Sequence, residues 1–173
     1  MENRKLSFET NVHAWKRSSS CRLLELHLEN ILATRKVTKI ICLGLGDFCR
    51  KEPPGSMALG NSHLSKEELG AAMIRSRIVQ HAIAMTMVKT CERLYGKAVQ
   101  LLAQDPDYTE EAKTILQAYG FSIVGESGAG GFAEIDDHSG VFSAFISAPL
   151  KQIIADIGRP PLVISTSAIV MDG

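Results

Sequence analysis

The segment Val37 to Leu45, VTKIICLGL, constrains the fold more than any other part of the chain. It is rich in β-branched residues, almost continuously apolar from Ile40, and runs directly into Gly44-Leu45-Gly46. A strand wetted on one face alternates apolar with polar residues, whereas an unbroken apolar strand needs cover on both faces, as in the interior of a parallel sheet. Helices must therefore flank it, and the remaining sequence supplies them in alternation with further strands.

Cys21, Leu24, Leu28 and Ile31 recur at spacings of 3, 4 and 3 and predict a helix over about Ser20 to Thr34, with Trp15 packed across its start. Ser65 followed by Glu68 has capping-box spacing and opens the longest helix, which runs to about Tyr95 and stops at Gly96. Ile74, Ile78, His81, Met85 and Val88 form its core stripe, so Arg75, Arg77 and Lys89 are expected to point away. His81 on that stripe reads as a buried, hydrogen-bonded imidazole. A second strand, Ala98 to Ala103, leads to Asp107, which has cap spacing to Glu110 before a helix carrying Ala112, Ile115, Leu116 and Tyr119. Phe121 to Val124 is a third strand. Gly125, Gly128, Gly130 and Gly131 then read as a flexible loop, with a short strand leading to Glu134. Val141 to Ile146 is the fourth long strand. Pro149 fits the first turn of a helix bearing Leu150, Ile153, Ile154 and Ile157, and Leu162 to Ser165 closes the sheet. The order predicts an α/β three-layer sandwich with a mostly parallel sheet of about five strands over residues 37–173, and residues 1–36 as a helical extension packed on it.

Composition limits the function. The 173 residues carry 19 Lys+Arg against 19 Asp+Glu, a formal charge of zero, which argues against a protein that neutralises a nucleic-acid backbone or coats an anionic membrane. No apolar run reaches the length of a spanning helix, and the first twenty residues lack the apolar core of a secretory signal. Cys21, Cys42, Cys49 and Cys91 form no C-x-x-C pair, so reduced thiols in the cytoplasm or nucleus are expected.

In open α/β sheets, ligands bind beyond the carboxyl ends of the strands, where the strand order reverses. Four segments fall there: Gly44-Leu45-Gly46-Asp47, Gln104-Asp105-Pro106-Asp107, Ser147-Ala148-Pro149 and Ser165-Thr166-Ser167. Glycine lets backbone approach a ligand closely. The full G-x-G-x-x-G pattern is broken by Cys49, however, and no helix starts directly after the turn, so a different small ligand is favoured over a dinucleotide. Asp105 is placed either to accept ligand hydroxyls or to hold a turn before Pro106. Glu134, Asp136, Asp137 and His138 offer cation-binding groups, but adjacent acids on a loop read first as solvated. Cys49 beside Arg50 and Lys51 is a site where a lowered thiol pKa would make a nucleophile.

These residues resemble the sensitivity-to-red-light-reduced (SRR-like) family, particularly its fungal branch. The resemblance rests on IICLGLGDF at Ile40 to Phe48, SRIVQHAIAM at Ser76 to Met85, AQDPDYTEEAKTILQAYGFSIV at Ala103 to Val124, and the run from Phe132 to Ser165; it covers about Val37 to Ser167. It implies a Rossmann-like domain linked to regulation: light and circadian signalling in plants, and haem metabolism or cytoskeletal phenotypes elsewhere. Gly44, Gly46, Phe48, Ser76, Gln80, Asp105 and Pro106 are the matching positions, and the resemblance assigns no catalytic residue and no cofactor. Where many relatives carry a Pro-His-Cys stretch near the fourth strand, this chain has Ser147-Ala148-Pro149-Leu150, which removes the metal or haem ligands that stretch would supply.

The expected function is a regulatory domain that binds a small nucleotide-like ligand, or a protein partner, at the strand ends. Gly44, Gly46, Asp47, Phe48, Ser76, Gln80, Asp105, Pro106 and Ser165 form the candidate site, with Asp47 to Leu64 as a lid. A small transferase using the same crevice, with Asp105, Ser76, Gln80 and Cys49 as its polar set, and a non-catalytic interaction module are the alternatives.

Overall fold

The fold is known from a computed structural model, which describes residues 2–50, 65–125, 128, 130–144 and 150–165. Five strands, β1 (Lys39–Leu43), β2 (Gln100–Gln104), β3 (Phe121–Ile123), β4 (Ser139–Ser143) and β5 (Leu162–Ser165), form one sheet in the order β3-β2-β1-β4-β5, and every neighbouring pair is parallel. β1 lies at the centre, as its unbroken apolar run requires. Its side chains alternate between two cores: Ile40 and Cys42 on one face, Ile41 and Leu43 on the other.

The first face is covered by α3 (Lys66–Tyr95) and α4 (Glu110–Ala118), whose Ile78, Ala82, Ile115 and Leu116 join that core. α1 (Glu2–Lys16) and α2 (Ser19–Leu32) pack against α3 and extend the same core through Phe8, Val12, Leu28 and Leu32. The opposite face is covered by α5 (Gly130–Ala133) and α6 (Leu150–Ile157), with Ile135, Leu150 and Ile154 packed on Ile41 and Leu43. Helices on both faces of a parallel sheet make this a three-layer, Rossmann-like α/β fold.

Local chemistry explains the boundaries. Ser18 caps α2 by accepting the Cys21 N–H at 3.1 Å. Ser65 and Glu68 form the reciprocal box that starts α3: the Glu68 N–H donates to Ser65 Oγ at 3.2 Å and the Ser65 N–H to Glu68 Oε2 at 2.8 Å. Gly96, at φ 62°, ends α3 in the left-handed conformation.

Several expectations are corrected. Ile31 is exposed and Leu32 closes the α2 stripe, because a spacing of 4 from Leu28 keeps the residue on the buried face. Thr109, not Asp107, caps α4, its side chain accepting the Ala112 N–H at 3.3 Å. The segment before Glu134 is the short helix α5 and not a strand. Arg77 turns inward, where the sequence pattern sent it outward. Phe145, Ile146, Pro149 and residues 51–64 of the expected lid lie outside the described residues. Among the described residues no helix is long and apolar enough to cross a membrane.

Candidate functional site

The carboxyl ends of β1 and β2 border a cleft of ≈ 490 Å³, beside the point where the chain crosses from one side of β1 to the other. Its floor is the glycine turn. Gly46 sits at φ 80°, and a Cβ there would lie 2.9 Å from Cγ and Nε of Arg77, so only glycine lets the arginine stem cross the turn. The turn is tied down on both sides. The Gly44 N–H donates to the Gln104 carbonyl at 3.0 Å, and the Gly46 N–H to Asp105 Oδ2 at 2.7 Å. The other Asp105 oxygen accepts the Asp107 N–H at 2.9 Å, so one carboxylate joins the β1 turn to the β2 turn.

Asp47, only 2% exposed, braces the turn from beneath. Its Oδ1 accepts the Cys49 N–H at 2.6 Å, its Oδ2 accepts the Thr109 N–H at 2.8 Å, and its carbonyl accepts Arg77 Nη1 at 2.9 Å. Three segments meet on this one residue, its own turn, α3 and the start of α4, and its buried carboxylate oxygens are both hydrogen-bonded.

Gln104 ends β2 on the face opposite α3 and organises the second wall. Its Nε2 donates to the carbonyls of Gly125, at 2.7 Å, and Gly128, and its Oε1 accepts the Gly131 N–H at 2.7 Å. The described glycines of this loop are not slack linkers, as the sequence suggested. A Cβ on Gly131 would stand 2.5 Å from Gln104 Oε1 and 2.8 Å from Leu43 Cδ2, so the missing side chain is what admits the amide. Phe132, half-buried on α5, completes this wall, and Met73, Ser76 and Arg77 of α3 form the wall facing it.

Behind Asp47 lies a sealed aromatic cluster. Phe8 stacks on Phe48 and Tyr119 with ring centroids 5.0 Å apart in each case, and His81 lies edge-on to Phe48 at 5.4 Å. The His81 Nδ1 is 2.7 Å from the Arg77 carbonyl, which can only accept, so Nδ1 carries the proton and Nε2 accepts the Tyr108 hydroxyl at 2.8 Å. Complete burial pushes the His81 pKa down to about 4, and burial also holds the Tyr108 hydroxyl well above its ordinary value. This is the structural imidazole that the helical stripe predicted.

Of the residues singled out in the sequence, Gly44, Gly46, Ser76, Asp105 and Pro106 come together on the cleft. Asp47 and Phe48 lie beneath it in the core, and Gln80 is buried on α3 outside the lining. Ser165 ends the edge strand β5, two strands from β1, while Thr166, Ser167 and Ser147-Ala148-Pro149 lie outside the described residues. Arg77 and Phe132 belong to the cleft without having been anticipated, and Gln104, read in the sequence only as the start of the Gln104-Asp105-Pro106-Asp107 segment, joins them. Gln104 carried a signal, being a polar residue that ends a buried strand.

Two chemical expectations change. Burial, with Asp47 and Glu111 nearby, pushes the Cys49 thiol up to about 12, outweighing the opposing charge of Arg4, so it is not an activated nucleophile. The loop acids sit at the amino-terminal end of the sheet, away from the cleft. Lys39 pairs with Asp136 at 3.0 Å and Glu134 at 3.6 Å, and Asp137 accepts the Arg159 N–H at 2.8 Å. Among the described residues no three His, Cys, Asp or Glu are grouped to hold a metal.

Comparison with curated proteins found no match, and comparison with solved structures found none. A family model described as the SRR1 domain matches residues 24–169, which take in α2 from Leu24 onward, the whole sheet and every element that lines the cleft. The chain belongs to the SRR1 domain family.

Proposed function

We propose that this domain is a binding module whose cleft at the ends of β1 and β2 takes a small organic ligand, with occupancy as the regulatory signal. What carries this reading is a cavity whose floor is held rigid before any ligand arrives. Gly44 with Gln104, Gly46 with Asp105, and Asp47 with Thr109 satisfy one another, so little ordering cost is left for binding. Its volume of ≈ 490 Å³ falls within the roughly 300–1,000 Å³ typical of small-molecule sites. Leu43, Met73 and Phe132 supply apolar surface, and Ser76 and Arg77 a few polar contacts.

Binding without turnover is favoured because the groups that a reaction would call on are engaged elsewhere. The Cys49 thiol is held protonated, His81 is sealed in the core, and the Asp105 oxygens accept backbone N–H groups. Action in the cytoplasm or nucleus belongs to the same proposal, supported by four cysteines that remain free thiols.

The test is a thermal-shift screen of the full chain against nucleosides, nucleotides, S-adenosylmethionine, haem and an uncharged fragment library, repeated on Ser76→Trp. Ser76 is exposed on α3 and lines the cleft, so the indole fills the cavity while leaving the core intact. A ligand at a hundred times its Kd adds about 2.7 kcal/mol, a rise of roughly 5–10 °C for a domain this size. The rise should appear in the wild type and vanish in Ser76→Trp. No rise with any compound, or an equal rise in the filled variant, removes the proposal.

A further inference from the structure

Resting on that reading, the geometry points to a ligand class: we infer that the cleft takes an uncharged planar heteroaromatic compound of nucleoside size and turns away its phosphorylated form.

A glycine turn at a strand end holds phosphate by offering backbone N–H groups, reinforced by the amino terminus of the helix that follows. Both resources are spent here. The Gly44 N–H is given to the Gln104 carbonyl and the Gly46 N–H to the Asp105 carboxylate. α3 begins only at Lys66, its Ser65–Glu68 box takes the Glu68 and Ser65 N–H groups, and Glu67 and Glu68 place negative charge in its first turn. α4 is likewise capped by Thr109 and opens with Glu110 and Glu111.

Charge acts in the same direction. Among the described residues that line or brace the cleft, three carboxylates, those of Asp47, Asp105 and Asp107, stand against two guanidinium groups, those of Arg50 and Arg77. Arg50 already pairs with Asp107 at 2.8 Å, and Arg77 gives Nη1 to the Asp47 carbonyl. A phosphate would enter a site with one carboxylate in excess and both guanidinium groups already engaged, and the repulsion is strengthened by the reduced dielectric of a cleft. A flat neutral ring meets no such cost. Phe132 and Met73 offer it an aromatic face and a polarizable thioether from opposite walls, while Ser76 can exchange a hydrogen bond with ring or hydroxyl atoms.

The experiment is calorimetric titration of the full chain with the four common ribonucleosides, their 5′-monophosphates and inorganic phosphate. At least one nucleoside should bind, its monophosphate on the order of tenfold more weakly, and phosphate not at all. In Asp107→Asn the gap between nucleoside and monophosphate should narrow, since one negative charge leaves the rim. A monophosphate that binds as tightly as its nucleoside, or more tightly, overturns this inference and leaves the cleft standing as a binding site. If no nucleoside or nucleotide binds while an uncharged fragment raises the melting temperature of the wild type but not of Ser76→Trp, the ligand class falls and the cleft reading survives. If nothing binds in either experiment, both fall.

Discussion

Replacing Asp105 by alanine separates a residue that holds the turn from one that holds a ligand. In the wild type the carboxylate accepts the half-buried Gly46 N–H at 2.7 Å and the exposed Asp107 N–H at 2.9 Å. Water can replace the second bond at little cost, whereas the first is charge-assisted and shielded, and losing it costs roughly 1.5–3 kcal/mol. The total should be about 2–3 kcal/mol, or a fall of roughly 4–12 °C in Tm for a domain of this length. Asp105→Asn retains one acceptor and cannot serve both N–H groups, so it should fall between the two. Urea denaturation at pH 7, with equal m-values for the three proteins, measures the difference directly. An alanine variant as stable as the wild type that has nonetheless lost ligand binding would refute the reasoning, because the carboxylate would then serve the ligand and not the turn.

Three further perturbations test other parts of the structure. His81 has its folded-state pKa lowered to about 4 from 6.5, so the unfolded chain binds the extra proton between those values. Stability from this group is fully present above about pH 6.5 and is lost towards pH 4, on the order of 3 kcal/mol in all; a stability profile flat across that window contradicts the sealed imidazole. Phe8→Ala removes a fully buried ring that touches Phe48 and Tyr119 and should cost about 3–5 kcal/mol by denaturant titration. A cost under about 1 kcal/mol would detach α1 from the core. With its thiol pushed up to about 12, Cys49 should react with iodoacetamide at pH 8 on the order of a thousandfold more slowly than an unperturbed thiol, and rapid labelling found by peptide mapping would restore it as a nucleophile.

The sheet was legible because its signals are local and redundant. β1 announces its burial by an unbroken apolar run, and β5 was bounded correctly at Leu162 and Ser165 by the preceding prolines and the brevity of the run. The α3 stripe from Ile74 to Val88 is core-facing as its period requires. What was hidden depends on partners distant in sequence. α1 carries only Phe8 and Val12 on its buried face, too few for a periodic stripe, and its packing comes from Phe48 and Tyr119. α5 begins with two glycines, the poorest helix formers after proline, and the Gly131 N–H is met by the Gln104 side chain. The cleft was half legible. Glycines after β1 and polar residues after β2 mark its floor, but Arg77 joined it only because glycine at position 46 lets a long side chain cross the turn. Asp105 offered two roles in sequence, and only the coordinates show both of its oxygens on backbone N–H groups.

The account depends on a pre-organised cavity at the ends of β1 and β2 that admits an uncharged planar guest. Its most direct test is the nitrogen-15 amide spectrum of the full chain, titrated in turn with each of the four ribonucleosides. Saturable shifts confined to Gly44, Gly46, Ser76 and Phe132, and lost in Ser76→Trp, are the predicted result. Shifts gathered instead along the separate groove between α1 and α4, at Lys5, Thr114 and Ala118, or no saturable shift with any of the four, would contradict it.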